Sequence, residues 1–231
     1  MLLAFRALGR GARQLSRHAI PLLFANICAL LISAPILLIV VIVPRQDVAA
    51  SRLLFALLIA VLPNPAVAGV HYMLRQYLAD DPYAGFGEMW AGLRRYFLPA
   101  LLLWLAALPV SAIILANLLF YAHLHLAAVS FLEALWIGIL VVWLGIHLYV
   151  YPLLMEQEDM RPLTVYRNAT VITFARPLFT GLVLLVWLLL LALFALAVVP
   201  LTLIGLSAGA AIQESALSLL LPLFRKQPAE T

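Results

Sequence analysis

The longest apolar run in the chain, residues 178–206, reads LFTGLVLLVWLLLLALFALAVVPLTLIGL and contains no charged side chain. At about 1.5 Å per residue, a helix of this length is longer than the roughly 30 Å of hydrocarbon in a bilayer. A helix that is apolar on every side is stable only where water is absent, in lipid or in a large protein core. The run therefore predicts a membrane-spanning helix.

The rest of the chain has the same apolar character. Of its 231 residues, 66% are hydrophobic and 10% are charged, whereas about 25% are charged in an ordinary soluble domain. Other apolar runs long enough to span occupy residues 19–43, 53–73, 97–120 and 131–154. A shorter run at 207–224 contains Gln213 and Glu214. The composition predicts an all-α, polytopic transmembrane bundle that forms one domain over residues 1–231, with five spans and a marginal sixth at 207–224.

Three further segments, 2–18, 83–96 and 163–176, combine basic and apolar residues at helical spacing. In the first segment, four arginines fall on one stripe of a helix: Arg6, Arg10, Arg13 and Arg17. The second segment carries Arg94 and Arg95 beside aromatic residues. Amphipathic helices of this kind lie in the membrane interface with the apolar face in lipid. We therefore predict three surface helices on the cytoplasmic side of the membrane.

A proline stands at equal intervals where each of these segments turns into a span. The three are Pro21, Pro99 and Pro177. One interpretation is a unit of surface helix, span and returning span that is repeated three times. The other is coincidence, because the chain contains 14 prolines.

The basic residues predict the orientation of the chain. Cytoplasmic loops next to spans carry an excess of Lys and Arg. With six spans and a cytoplasmic amino terminus, 12 of the 14 basic residues lie inside, and only Arg45 and Arg52 lie outside. This predicts a multi-pass protein of the bacterial inner membrane with both termini in the cytoplasm. The net charge of +4 then indicates contact with the lipid bilayer and not with nucleic acid.

Several stretches resemble the YesL-like family of bacterial integral membrane proteins, a domain of unknown function. They are FANICALLISAPILL, LPNPAVAGVHYMLRQYL, FGEMWAGLRRYFLPALLLW and YPLLMEQEDMRPLTVYRNATVITFARPLF. The resemblance extends over residues 19–206. It implies a similar topology and an association with carbohydrate-uptake systems, and it supplies no catalytic or ligand-binding residues.

The second predicted span is interrupted by Pro63, Asn64 and Pro65. Each proline lacks an N–H and removes one helical hydrogen bond. One interpretation is a kink whose freed carbonyls find partners in Asn64 or a neighbouring helix. The other is a discontinuous helix that exposes its backbone to a transport path, as in secondary transporters. The kink is the preferred interpretation.

Five polar side chains lie in or near the predicted hydrocarbon: Asn26, Asn64, Asn117, Gln213 and Glu214. Asn26 and Asn117 are predicted to make hydrogen bonds between helices. An ionisable group within a membrane points to function by default, so Glu214 is a candidate for a proton or substrate site. The preferred alternative is that the last segment is short and bent and that Glu214 reaches the outer interface.

No residue pattern indicates catalysis, a cofactor or a metal. His123 and His125 could share a metal, but two ligands fall short of the usual three or four, and the single Cys28 excludes an internal disulfide. We therefore predict that the chain is not an enzyme. Two functions remain open, and the first is preferred because of the resemblance and the shortage of buried charge. The first is an accessory or assembly component that binds other membrane proteins, such as a carbohydrate-uptake system, or itself; the second is a small-solute transporter or channel with a path near Asn64 and Glu214.

Overall fold

The computed structural model describes residues 2–42, 65–81, 84–122, 127–196 and 204–224. These residues form eight helices in the following order: α1 (Leu2–Arg17), α2 (Ala19–Ile42), α3 (Pro65–Leu78), α4 (Phe86–Ala122), α5 (Ala127–Glu156), α6 (Pro162–Ala175), α7 (Pro177–Leu196) and α8 (Leu206–Phe224). The described part of the chain contains no strand. The prediction of an all-α fold is confirmed.

Three helical stretches are long and apolar enough to cross a membrane: Phe86–Tyr121, Ser130–Glu156 and Leu206–Phe224. Two bent helix pairs, Leu2–Arg17 with Ala19–Ser33 and Pro162–Ala175 with Pro177–Leu193, raise the number to five if each pair is one span. Six spans are not confirmed. Of the predicted span at 53–73, only residues from Pro65 onward are described. They belong to α3.

The boundaries at the three equally spaced prolines differ from one another. Helix α1 meets α2 at 93°, and α6 meets α7 at 103°. Helix α4, in contrast, runs without interruption through Pro99 and Pro109. The predicted surface helix at 83–96 and the predicted span at 97–120 thus lie on one continuous helix, and their placement relative to a membrane stays a prediction. Pro99 frees only the carbonyl of Arg95, and the rest of the hydrogen-bond ladder carries the helix past it.

Helix α8 lies at the centre of the bundle. It packs against α1, α2, α3, α5 and α7. In its most apolar 18-residue stretch, 67% of the residues are buried inside the protein, compared with 33% in α4 and 22% in α5. Its first turns consist mainly of small residues, Ser207 to Ala211. Small side chains allow helix backbones to approach closely in membrane proteins. A Cβ atom added to Gly11 of α1 would lie 3.2 Å from the carbonyl oxygen of Ala211.

Helices α4 and α5 present apolar side chains outward. Ile113 is 56% exposed, Phe131 is 73% exposed and Leu135 is 49% exposed. A soluble protein rarely exposes a contiguous apolar surface of this extent. The exposed faces of these helices are suited to contact with lipid.

Helices α3 and α4 pack against each other at very short distances. A Cβ atom added to Gly69 would lie 2.5 Å from the carbonyl oxygen of Met89, and one added to Gly92 would lie 2.4 Å from the Cβ atom of Tyr72. Real side chains do not approach so closely, so both positions require glycine. The connection also ends α3 sharply: the amides of Asp80 and Asp81 donate to the carbonyls of Tyr77 and Gln76, which is a Schellman motif with Asp80 in the left-handed region (φ 55°).

We predict that Gly69→Ala destabilises the protein by about 1–3 kcal/mol, because the added methyl group must push α4 away from α3. The free energy of unfolding can be measured by titration with SDS in mixed micelles. Gly87→Ala is the matched control, since a Cβ atom at Gly87 meets nothing within 4 Å. Equal stability of the two variants would contradict the close helix contact.

Candidate functional site

Two ionisable side chains meet inside the bundle. Nδ1 of His71 on α3 lies 2.8 Å from Oε1 of Glu214 on α8, and these side chains are only 2% and 5% exposed. If Glu214 is ionised, the N–H of His71 donates to the carboxylate; if Glu214 is protonated, its O–H donates to the imidazole. The pair therefore accommodates a proton on either partner.

Packing on both sides fixes the imidazole ring of His71. Val70 and Leu74, which lie near it on α3, are fully buried. The phenol ring of Tyr151 on α5 stacks on the imidazole with the ring centres 4.8 Å apart and the planes 19° apart. Helix α5 thus positions the ring from one side while α8 supplies the carboxylate.

A second ion pair lies next to the first. Arg75 follows His71 by one helical turn, so the two side chains share one face of α3. Its guanidinium pairs with Glu156, the last residue of α5. The Arg75 side chain is 33% exposed and the Glu156 side chain is 16% exposed, so this pair lies nearer the protein surface than His71 and Glu214.

A cavity of about 260 Å³ connects the two pairs. It is lined by Arg75, Leu78, Ala79, Glu156, Glu214, Leu217, Ser218, Leu221 and Pro222. At about 30 Å³ per molecule, this volume corresponds to roughly nine waters, which suits a small solute. The increase in exposure from Glu214 to Arg75 indicates that the cavity leads from the surface to the buried carboxylate. We call the four side chains of His71, Arg75, Glu156 and Glu214 the ionisable cluster.

The formal charge of the ionisable cluster depends on one proton. With neutral His71, one guanidinium faces two carboxylates, and the net charge is −1. One added proton makes the cluster neutral. Because charges interact more strongly in a poorly solvated interior than in water, the excess carboxylate is the main electrostatic feature of the ionisable cluster.

The predicted break in the second span is described only in part. Pro63 and Asn64 lie outside the described residues, so neither the kink nor the transport path can be compared with the structure there. Pro65 is the first described residue of α3. Glu214, which was predicted to share a path with Asn64, contacts His71 of α3. Its side chain is buried among the described residues, and its position relative to the membrane interfaces stays a prediction.

The two asparagines differ in their contacts. Oδ1 of Asn26 on α2 accepts a hydrogen bond from the backbone N–H of Ser207 on α8 at 3.0 Å. The hydroxyl of Ser207 also donates to the carbonyl of Leu22 at 3.1 Å. Asn117, in contrast, donates to the carbonyl of Ile113 within its own helix at 2.8 Å. Asn26 thus joins two helices at the start of α8.

The predicted membrane-surface arginines lie outside the ionisable cluster. Arg6, Arg10, Arg13 and Arg17 are exposed on α1. On α4, the guanidinium of Arg94 lies 5.5 Å from the centre of the Trp90 ring, and that of Arg95 lies 5.3 Å from the centre of the Tyr96 ring. These distances are typical of cation–π contacts.

The sequence did not reveal that His71, Arg75 and Glu156 join Glu214. One local signal was present, because HYMLR, residues 71–75, places two basic side chains four residues apart on an otherwise apolar helix. Their partners lie 143 and 81 residues further along the chain, and no local pattern indicates such pairings.

No family model, curated protein or solved structure matches this chain. The resemblance to the YesL-like family therefore stays a prediction. Among the described residues, no group of three or more His, Cys, Asp or Glu side chains is arranged to hold a metal ion. His123 and His125 lie outside those residues.

We predict that His71→Leu destabilises the protein by about 3 kcal/mol, because it leaves the buried Glu214 carboxylate without its imidazole partner. The double variant His71→Leu with Glu214→Leu removes both polar groups and should recover most of this loss. The free energy of unfolding in mixed micelles measures both effects. A double variant that is less stable than the single variant would show that the two side chains do not depend on each other.

Proposed function

We propose that this chain is a small-solute transporter that exchanges protons for a cationic solute at the ionisable cluster. The observation that carries the proposal is the buried pair of His71 and Glu214 at the inner end of a solute-sized cavity. The carboxylate of Glu214 can bind either a proton or a cationic solute. Because the two compete for this carboxylate, the transport of the solute in one direction is coupled to the transport of a proton in the other.

The cost of the ionisable cluster supports a functional role. Removing charged groups from water costs several kcal/mol per ion, and replacing a buried ion pair with apolar side chains is often neutral or stabilising. Ionisable side chains within membrane segments are accordingly rare and mark ion or substrate pathways. The preference for an accessory role rested partly on a shortage of buried charge, and that shortage is absent at the ionisable cluster.

The second ion pair has a natural role in this proposal. Arg75 and Glu156 are more exposed than His71 and Glu214, so a solute from the surface meets them first. A cation that approaches Glu156 competes with Arg75 for the same carboxylate. Release of Arg75 then opens the way to Glu214.

The proposed setting is the bacterial inner membrane, with both termini in the cytoplasm and six crossings. Support comes from the distribution of the basic residues, 12 of 14 of which fall on one side in this arrangement. The apolar helices support embedding in a membrane. The absence of a catalytic pattern in the sequence supports the prediction that the chain is not an enzyme.

We predict that liposomes containing the purified protein and an internal pH-sensitive dye become more alkaline inside when a transported cation is added outside. Suitable probes are choline, guanidinium and lysine, with glucose and proline as solutes without net charge. Glu214→Gln should abolish the response, because it removes the charge for which proton and solute compete. Glu158→Gln, which makes the same chemical change at an exposed residue outside the cavity, should respond like the unchanged protein.

A response of equal size in both variants would contradict the role of Glu214. Absence of a response to every probe in the unchanged protein would contradict cation exchange and favour the second candidate function. The Glu214→Gln variant must be present in the membrane at normal abundance, so that a lost response reflects lost exchange and not lost protein.

The second candidate is the accessory or assembly role, and an apolar groove between α4 and α5 favours it. The groove has a volume of about 800 Å³ and is lined by Val110, Ile113, Ile114, Ala134, Leu135, Trp136, Gly138, Ile139, Val142, Trp143 and Ile146. Gly138 has no side chain, so the groove is deeper at this position. A glycine flanked by large apolar residues suits a transmembrane helix of another membrane protein.

We predict that, in this accessory role, Gly138→Leu abolishes copurification of the partner from mild detergent and leaves stability unchanged or slightly higher. A Cβ atom at Gly138 meets nothing within 4 Å, so leucine fits its own helix and fills the groove. Gly181→Leu on α7 is the control, since a Cβ atom there also meets nothing within 4 Å. A partner retained equally by both variants would exclude the groove as its binding site.

A further inference from the structure

We propose that α1 and its neighbours form a binding site for one anionic phospholipid, with separate places for the head group and for an acyl chain. The head-group pocket has a volume of about 270 Å³ and is lined by Arg10, Arg13, Gln14, Arg17, Leu78 and Asp80. The acyl groove has a volume of about 360 Å³ and is lined by Ile20, Pro21, Phe24 and Phe86. This site is independent of the proposed transport function.

The head-group pocket carries an excess of positive charge. Three guanidinium groups and one carboxylate give a formal charge of +2. Within the described part of the chain, none of these arginines belongs to an ion pair. Arginine binds phosphate through paired N–H donors in a planar arrangement. A phosphodiester is therefore the group that this pocket is suited to bind.

The spacing of the arginines concentrates the charge on one side of α1. Arg10, Arg13 and Arg17 follow each other at intervals of three and four residues, which places them on one helix face. The adjacent Gln14 donates from Nε2 to the carbonyl of Tyr77 at 3.2 Å, and His18 stacks on the Tyr77 ring with the ring centres 3.8 Å apart. These contacts hold the arginine face of α1 against the end of α3.

Asp80 gives the pocket a preference among head groups. It occupies the left-handed conformation at the end of α3 (φ 55°), and it lines the pocket opposite the arginines. A carboxylate there repels a second phosphate and accepts hydrogen bonds from hydroxyl groups. A phosphoglycerol head group supplies both the phosphate for the arginines and hydroxyl donors for Asp80.

The acyl groove is the second, independent observation. Its side chains are apolar, and they are exposed although they are large: Ile20 is 70% exposed, Phe24 is 56% exposed and Phe86 is 44% exposed. Ile20 follows Arg17 directly across the 93° bend between α1 and α2, and Phe86 begins α4 shortly after Asp80. The same two connections thus build both parts of the site, and a molecule with an anionic head and an apolar tail fits them together.

The experiment measures lipid binding to the full chain in dodecyl maltoside by native mass spectrometry. Phosphatidylglycerol should remain bound, whereas phosphatidylcholine with identical acyl chains should bind at least tenfold more weakly. Arg13→Gln with Arg17→Gln should reduce phosphatidylglycerol binding at least tenfold. Arg94→Gln with Arg95→Gln, which removes the same charge from α4, should leave it within twofold. All four arginines are exposed, so none of these changes should lower the melting temperature without lipid.

A separate comparison tests the acyl groove. Phe24→Ser, a change at an exposed position, should weaken binding of phosphatidylglycerol and leave binding of glycerol phosphate, which has no acyl chain, unaltered. If the double arginine variants on α1 and on α4 weakened phosphatidylglycerol binding equally, the lipid would respond only to the overall surface charge, and the proposal would be overturned. Binding of inorganic phosphate as tight as that of phosphatidylglycerol would overturn the lipid as the occupant.

Discussion

The carboxylate of Glu214 at the centre of the bundle is the constraint on which the rest of the structure depends. A charged or protonated carboxyl group enclosed in protein must be hydrogen-bonded, because an unpaired one costs far more than a single lost contact. His71 meets this requirement from α3, and Tyr151 holds His71 in place from α5. Three helices distant in the sequence are thereby fixed relative to one another by one side chain.

Close helix contacts allow this central position for α8. Its first turns are built from small residues, and a methyl group at Gly209 would lie 2.8 Å from Nε1 of Trp187 on α7. Gly11 of α1 approaches the same turn from another side. Apolar side chains gain little free energy by leaving lipid for protein, so the bundle depends on such backbone proximity and on interhelical hydrogen bonds. The bond from Ser207 to Asn26 adds one of these at the same level of α8.

The sequence predicted well what is local and poorly what is not. Composition and apolar runs predicted the helical class, since both depend on neighbouring residues. Helix α8 looked marginal because Gln213 and Glu214 lower its hydropathy, but hydropathy measures affinity for lipid, and α8 is surrounded by protein. Pro99 stands at the predicted boundary between a surface helix and a span, and α4 continues through it, because a long helix tolerates one missing hydrogen bond. The pairing of His71 with Glu214 joins residues 143 positions apart, and a single sequence contains no local trace of it.

The contact between Gly11 of α1 and Ala211 of α8 has a consequence for biosynthesis. Ribosomes make α1 before α8, so the face of α1 that carries Ala4, Ala7 and Gly11 lacks its main partner until α8 has been made. During that interval the arginines of α1 can hold it at the charged membrane surface. A chain interrupted before α8 would lack the centre of its bundle and would present incompletely packed helices to the quality-control proteases of the membrane.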